Sequence, residues 1–345
     1  MIFIPVSTGD IEVMTQEEFE KEWLDSCDTV ACHTSGSTGT PKEIRLPKAF
    51  MRESARRTNS FFGITETSRL HTCLDFCYIA SKMMLVRAEE AKCRLTSEFP
   101  SSMPLKDIEK DEAIDLLSVV PAQMGWLLDE HTGRSGIRHI LVGGSAIPPI
   151  LRRRIALSEY DVWETYGMTE TASHVALRKV TDDDRTPFVA LPGITVGINE
   201  GGCLVIDMPG MDPIVTNDLA EAVSETEFRI LGRADNCIIS GGVKIIPEEL
   251  ESLLGPFIAF DYYVSSVPDE KWSERLVLAV DPAGCSLDRD FLKKAILLRL
   301  GQYKTVLSLG PKSPKEVIFV DSFPRTPNGK IDRVALKKKL KEEIG

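Results

Sequence analysis

A chain of 345 residues is longer than one small core organises, so two or more cores are expected. Its 43% hydrophobic and 27% charged residues exclude a disordered or fibrous chain. With 52 acidic against 41 basic residues, the net charge of −11 argues against a nucleic-acid partner. No apolar stretch approaches the ~20 residues of a membrane helix. The start MIFIPVSTGD lacks a basic region and a long apolar run, so neither a signal peptide nor membrane insertion is expected. Eight scattered cysteines form no CxxC pair, and Cys73, Cys77 and His71 are followed by no second ligand pair. Free thiols in a reducing cytoplasm are the expectation.

In chain order, Thr15 and Glu18 form a capping box before the amphipathic run Phe19, Trp23, Leu24. A β-type run, Val30–Cys32, leads into a Gly/Ser/Thr loop, and further strand runs fall at Ile140–Val142, Val162–Trp163 and Leu204–Ile206. Helical patterns are expected at Asp111–Leu117 and Pro149–Leu157, and this alternation predicts an α/β fold with ligand loops at strand ends. Near residue 232 the character changes. A polar hairpin-like stretch gives way to a compact α+β unit, with a helix from Pro247 to Leu254 and strands at Tyr262–Val267 and Leu276–Val280. A helix at Phe291–Leu300, a strand at Val317–Val320 and a terminal lysine-rich helix complete it.

The loop Thr34-Ser35-Gly36-Ser37-Thr38-Gly39-Thr40-Pro41-Lys42 carries the strongest local chemistry. Small residues leave backbone N–H groups open, hydroxyls add donors and Lys42 adds charge, which suits a polyphosphate. It is no Walker A loop, because Gly36 and Gly39 are three apart and Pro41 precedes the lysine.

This nonapeptide resembles the phosphate loop of the acyl-adenylate-forming superfamily of acid–CoA ligases, luciferases and peptide-synthetase adenylation domains. Five further segments resemble its signatures in order: Gly143–Ala146, Glu164–Thr171, Asp218 in TNDLAE, Gly232–Asp235 running into Ser240–Ile245, and Pro324–Lys330. The resemblance implies a large N-terminal ATP- and acid-binding domain (1–232), a hinge (233–236) and a small mobile α+β domain (237–345). It implies ATP, Mg²⁺ and coenzyme A as reaction partners, with a small carboxylic acid as substrate. Homo-oligomerisation stays open.

The implied roles suit the residue types. Adenylation brings a carboxylate to the α-phosphorus, where negative charge builds up. Thr34–Gly39 and Lys42 would hold phosphates, with Gly144, Ser145 and Gly167 around the nucleotide. Tyr166 would stack on adenine, and Asp218 and Arg233 would reach ribose hydroxyls. Thr169 would donate to the α-phosphate, Glu170 would offer a hard oxygen ligand to Mg²⁺, and Lys330 would bring its charge to the carboxylate and phosphate. Asp235 would be the pivot that presents Ser240, Gly241, Gly242 and Lys244 for thioester formation. Singly, each has a plainer role: Tyr166 in a core, Thr169 as a cap, Glu170 on a surface, Asp218 and Lys330 in turns, Arg233 on the surface and Asp235 as a cap.

The chain departs from the family in two places. Its phosphate loop begins at residue 34, so a shortened N-terminal domain is expected. Where the family often has FHxxG, Cys77–Ser81 stands, with Tyr78 at the histidine position. The segments Tyr78–Met84, Val120–Gln123 and Thr169–His174 resemble the o-succinylbenzoate–CoA ligases of menaquinone synthesis. That acid has two carboxylates, one activated and one held, and Tyr78, Lys82, Ser173 and His174 are the candidate substrate contacts. Another acyl- or aryl-CoA ligase, an enzyme loading a carrier protein, and a non-catalytic nucleotide-binding regulator remain alternatives.

Overall fold

The computed structural model describes residues 13–33, 43–106, 108–109, 112–130, 136–283, 285–303, 309, 312–326 and 331–344. The chain forms two compact units, Met1–Val196 with Asp207–Met211 and Val223–Phe228, and Gly197–Ile206 with Asp212–Ala222 and Arg229–Gly345.

The first unit opens with α1 (Gln16–Leu24), whose Thr15/Glu18 capping box closes as the sequence predicts, followed by β1 (Thr29–His33) and β2 (Glu43–Pro47). These strands pair antiparallel, ending at His33↔Glu43. The chain continues through α2 (Lys48–Phe62), β3 (Arg69–Thr72), α3 (Ile79–Ala91), β4 (Arg94–Ser97), β5 (Ile114–Val119) and α4 (Pro121–Glu130). Then come β6 (Ile137–Val142), α5 (Pro149–Ala156), β7 (Val162–Met168), β8 (Ser173–Lys179) and β9 (Phe188–Ala190). Strands β4, β3, β5, β6 and β7 lie side by side and parallel, while β8 and β9 extend the sheet antiparallel. On one face, Leu117, Val119, Ile140, Val142 and Val162 form a core with Met124, Leu127 and Ile155 from α4 and α5. All four interior loops, after β3, β5, β6 and β7, leave from the carboxyl ends of parallel strands, where ligands bind in such sheets.

The helix expected at Asp111–Leu117 is a correction. Residues from Ile114 onward form β5, five of whose six side chains are buried. A strand covered on both faces presents a nearly continuous apolar run, which lacks the alternation that separates strand from helix.

Past β9 the chain adds β10 (Thr195–Ile198), β11 (Cys203–Asp207), β12 (Ile214–Ala222) and β13 (Glu227–Arg233). The second unit continues with β14 (Ile238–Ser240), β15 (Val243–Ile245), α6 (Pro247–Leu254), β16 (Asp261–Asp269), β17 (Ser273–Asp281), α7 (Arg289–Tyr303), β18 (Glu316–Phe319) and α8 (Arg333–Ile344). Period-2 alternation along β17 divides its residues between two cores. Leu276, Leu278 and Val280 pack with α6 and α7, and Val277 and Ala279 with Leu336 and Leu340 of α8. Among the described residues no helix is long and apolar enough to cross a membrane.

Candidate active site

The segment Tyr166–His174 is a tight reversal between β7 and β8. The strands pair down to Met168↔Ser173, with a register shift between Tyr166 and Gly167. Gly167 is demanded by close approach: a Cβ there would lie 2.1 Å from the Ser173 carbonyl oxygen. The reversal contains a 3-10 turn, Thr169–Thr171, then Ala172 at φ 48° and Ser173 at φ 80°. Left-handed conformations at two consecutive non-glycine residues cost about 1–3 kcal/mol each, and such strain collects at functional sites. Bonds hold the strain in place. The Thr171 hydroxyl accepts from Met168 N–H at 2.9 Å and lies 2.6 Å from the Ser173 carbonyl. From α2, Ser54 donates to the Ala172 carbonyl at 2.9 Å.

This reversal delivers the predicted chemistry-bearing groups. Thr169 is buried, and its hydroxyl donates to the His33 carbonyl at 3.4 Å. It therefore stands at the end of β1, where the predicted phosphate loop begins. Glu170 is half-buried, and no described residue hydrogen-bonds or pairs with its carboxylate. Tyr166 sets its ring 5.1 Å from Phe228 and 5.7 Å from Phe188, an aromatic support. Gly144 and Ser145 are exposed immediately after β6. The loop residues Thr34, Ser35, Gly36, Ser37, Thr38, Gly39 and Lys42, like Lys330, lie outside the described residues.

Among the four candidate substrate contacts, the structure brings Ser173 and His174 together and places the others apart. Lys82 is buried, its amine 2.8 Å from the Ala31 carbonyl, 3.4 Å from Glu22 and over the Phe19 ring. Tyr78 precedes α3 and is 37% exposed; burial of its inner part raises its phenol pKa. Asp75 shapes this entry, accepting from the Met14 and Cys77 N–H groups.

The residue the sequence reading missed is Arg87 on α3. It is 1% exposed, and one guanidinium nitrogen reaches the Ser173 hydroxyl and His174 Nδ1, each at 3.4 Å. Its other terminal nitrogen meets the Met84 sulfur at 3.6 Å, and Nε has no partner. No carboxylate among the described residues pairs with it. Burial pulls its pKa down to about 9. His174 completes the group: its Nε2 lies 3.0 Å from the Thr58 hydroxyl, and burial, reinforced by the Arg87 charge, holds it neutral well below the usual histidine range. An arginine inside the apolar run Met83–Ala88 was the available sequence signal.

The second unit carries the other predicted residues. Arg233 bridges two carboxylates, 2.7 Å to Asp235 and 3.5 Å to Asp218. The hydrogen bond from Arg233 lowers the Asp235 pKa, and the same bond raises that of the guanidinium. Asn217 adds a 3.4 Å bond to Asp235, so the ribose and hinge candidates form one polar cluster. Ser240 and Val243 face each other in the β14–β15 hairpin, whose two-residue turn is Gly241-Gly242 at φ 56° and 79°. Both angles suit glycine in a tight hairpin. Gly241 N–H donates to the Trp272 carbonyl at 2.8 Å, and Lys244 is exposed beside this turn.

The strained reversal thus presents Thr169 and Glu170 at the carboxyl edge of the parallel strands, beside the end of β1, where an α/β fold carries its ligand loops. Residues 7–210 match the model of the AMP-binding enzyme family, and the chain belongs to that family. It is 28% identical over 340 residues to indoleacetate–CoA ligase of Aromatoleum aromaticum, covering 87% of this chain and 65% of that protein. To 2-succinylbenzoate–CoA ligase of Listeria monocytogenes it is 25% identical over 353 residues, covering 94% and 73%. The chain thus spans about two thirds of the length of these curated relatives. A solved acyl-CoA synthetase (AMP-forming)/AMP-acid ligase II-like protein from Dyadobacter fermentans is 32% identical, with a TM-score of 0.59 over 94% of this chain and 93% of that one.

Proposed function

We propose that the protein is an AMP-forming acid–CoA ligase whose acid carries a second carboxylate, with o-succinylbenzoate the best-fitting substrate. Family membership supports the ligase class, and the buried, carboxylate-free Arg87 beside Ser173 and His174 carries the choice of acid. A guanidinium out of water and facing only neutral acceptors is expensive, and a carboxylate is its natural bidentate partner. The ring carboxylate of o-succinylbenzoate is crowded by its ortho substituent, while the aliphatic one ends a flexible arm that can reach phosphorus. Arg87 would therefore hold the first, leaving the second for activation.

In the first half-reaction the acid's carboxylate oxygen attacks the α-phosphorus of ATP and pyrophosphate leaves. Thr169 donates toward the α-phosphate, and Lys330 brings its charge to the oxygens where negative charge develops. The half-buried, unengaged carboxylate of Glu170 fits a hard divalent cation, and Mg²⁺ held there supplies charge neutralisation for the phosphates. Tyr166 supports the adenine, and Asp218 with Arg233 the ribose. In the second half-reaction the CoA thiol attacks the acyl carbon and AMP leaves. This step follows a turn of residues 237–345 about 233–236 that brings the Ser240–Lys244 hairpin to the site. ATP and CoA as reaction partners support a cytoplasmic location.

Pyrophosphate release with ATP and Mg²⁺ tests this reading across o-succinylbenzoate, 4-oxo-4-phenylbutanoate (which lacks the ring carboxylate) and indoleacetate. The diacid should give the highest kcat/KM, followed by a CoA thioester when CoA is added. Equal turnover of the three acids would remove the diacid assignment. Turnover of indoleacetate alone would instead favour the reading suggested by the Aromatoleum relative.

A further inference from the structure

Two buried hydroxyls sit on one face of α2, four residues apart, where a helix packed on a sheet ordinarily presents apolar groups. Ser54 is 4% exposed and Thr58 0%. Ser54 holds the Ala172 carbonyl, the first left-handed residue of the reversal. Thr58 donates to the Ser54 carbonyl at 3.3 Å, which leaves its oxygen to accept from His174 Nε2 at 3.0 Å. On the far side of the imidazole, Nδ1 lies 3.4 Å from the Arg87 guanidinium, which has hydrogens only to give. The donor directions are therefore fixed from end to end: Arg87 N–H to His174 Nδ1, His174 Nε2–H to Thr58, and Thr58 O–H to the Ser54 carbonyl.

We propose that Thr58 is a positioning residue for acid recognition: by accepting from Nε2 it fixes the ring and tautomer of His174, which in turn aims the Arg87 guanidinium at the substrate's retained carboxylate. This rests on the reading of Arg87 as the group that holds that carboxylate. Among the described residues, only two neutral polar side chains and a thioether orient the Arg87 side chain, so rotation of the imidazole removes half of these polar fixings. A residue that merely filled the core would be replaceable by valine, which matches threonine in shape. A positioning hydroxyl would not.

The test compares wild type, Thr58→Val and Thr58→Ser with o-succinylbenzoate and 4-oxo-4-phenylbutanoate. Loss of the hydroxyl leaves the buried Nε2–H unpaired. Thr58→Val should then raise KM for the diacid by about five- to fiftyfold, with kcat and the monoacid KM within about twofold of wild type. Thr58→Ser should restore the diacid KM. A wild type without preference for the diacid overturns the functional reading itself. A wild type with that preference, retained in Thr58→Val, overturns the role of Thr58 alone. A second measurement needs no Thr58 variant: ¹⁵N spectra of imidazole-labelled wild type, with His174 assigned among the five histidines by its loss in His174→Gln. The expected signature is a single neutral tautomer with the proton on Nε2, and a proton on Nδ1 overturns the proposal.

Discussion

Replacing Arg87 by methionine removes the charge while keeping most of the side chain's length and apolar volume. In the free protein the guanidinium is 1% exposed and meets the Ser173 hydroxyl, His174 Nδ1 and the Met84 sulfur, none of them anionic. Burial lowers its pKa to about 9, which at about 1.36 kcal/mol per pH unit caps the cost of keeping it charged at roughly 5 kcal/mol. Water penetration and relaxation reduce that figure, and exchanges of buried charges for apolar groups have gained about 1–4 kcal/mol. Arg87→Met should therefore stabilise the first unit by about 2 kcal/mol and raise its Tm by roughly 4–8 °C. The same variant should lose the ligand response. In wild type, saturating o-succinylbenzoate should raise Tm well beyond 4-oxo-4-phenylbutanoate at equal occupancy, whereas in Arg87→Met the two acids should act alike. Differential scanning calorimetry of the two proteins, with and without each acid, reads both effects. A variant less stable than wild type, or one still stabilised preferentially by the diacid, would refute the assignment of an uncompensated charge awaiting a carboxylate.

Four further outcomes follow from the same geometry. Glu170→Gln should raise the Mg²⁺ concentration needed for half-maximal pyrophosphate release by at least tenfold with the circular dichroism unchanged; an unaltered Mg²⁺ dependence counts against Glu170 as the ligand. Lys330→Ala should lose about 10²–10³ in adenylation yet still convert synthetic acyl-adenylate and CoA to thioester, and a parallel loss of both steps would assign Lys330 another role. Gly167→Ala drives a methyl into the Ser173 carbonyl, so its urea midpoint should fall by the equivalent of about 3 kcal/mol or the protein should fail to accumulate; a wild-type midpoint would mean the reversal relaxes freely. The folded-state pKa of His174 lies below its unfolded value, so the unfolded chain takes up the proton first as pH falls. Below about 6.5 wild type should lose up to about 1.4 kcal/mol of stability per pH unit relative to His174→Gln, and parallel pH profiles would show that His174 titrates normally.

Local chemistry made much of the architecture legible in the sequence. The Thr15/Glu18 box and the prolines Pro149 and Pro247 at helix starts each depend on neighbours a few residues away. The helix misread at 111–117 marks where that locality ends, because burial on both faces erases the periodicity. The candidate nucleotide residues were readable as ordered motifs. Ser173 and His174 were named from the sequence as well, but Arg87 beside them was not, since Lys82 and Arg87 are both cations on α3 and only the tertiary partners separate them. Glu22 and the Ala31 carbonyl engage Lys82, while no described anionic residue engages Arg87. Thr58 and Ser54 were silent for a related reason, because a hydroxyl in a helix interior has no signature until its tertiary partner, more than a hundred residues away, is in place.

The strained reversal and the buried polar face behind it belong to one physical argument. Ala172 and Ser173 in left-handed backbone, a glycine pressed against a carbonyl, and an arginine with no counter-charge are each unfavourable taken alone. Selection for stability would remove them with a looser turn, alanine at positions 54 and 58, and an apolar residue at 87. Their coincidence within one hydrogen-bonded chain, Ser54–Thr58–His174–Arg87, ties the turn that carries Thr169 and Glu170 to the group that would grip the acid. A single brace on α2 thus fixes the reversal at two points, Ser54 through the Ala172 carbonyl and Thr58 through His174. The proposed reaction, which joins a carboxylate to a phosphate, would need that rigid coupling, because small displacements of either partner from attack geometry forfeit large factors in rate.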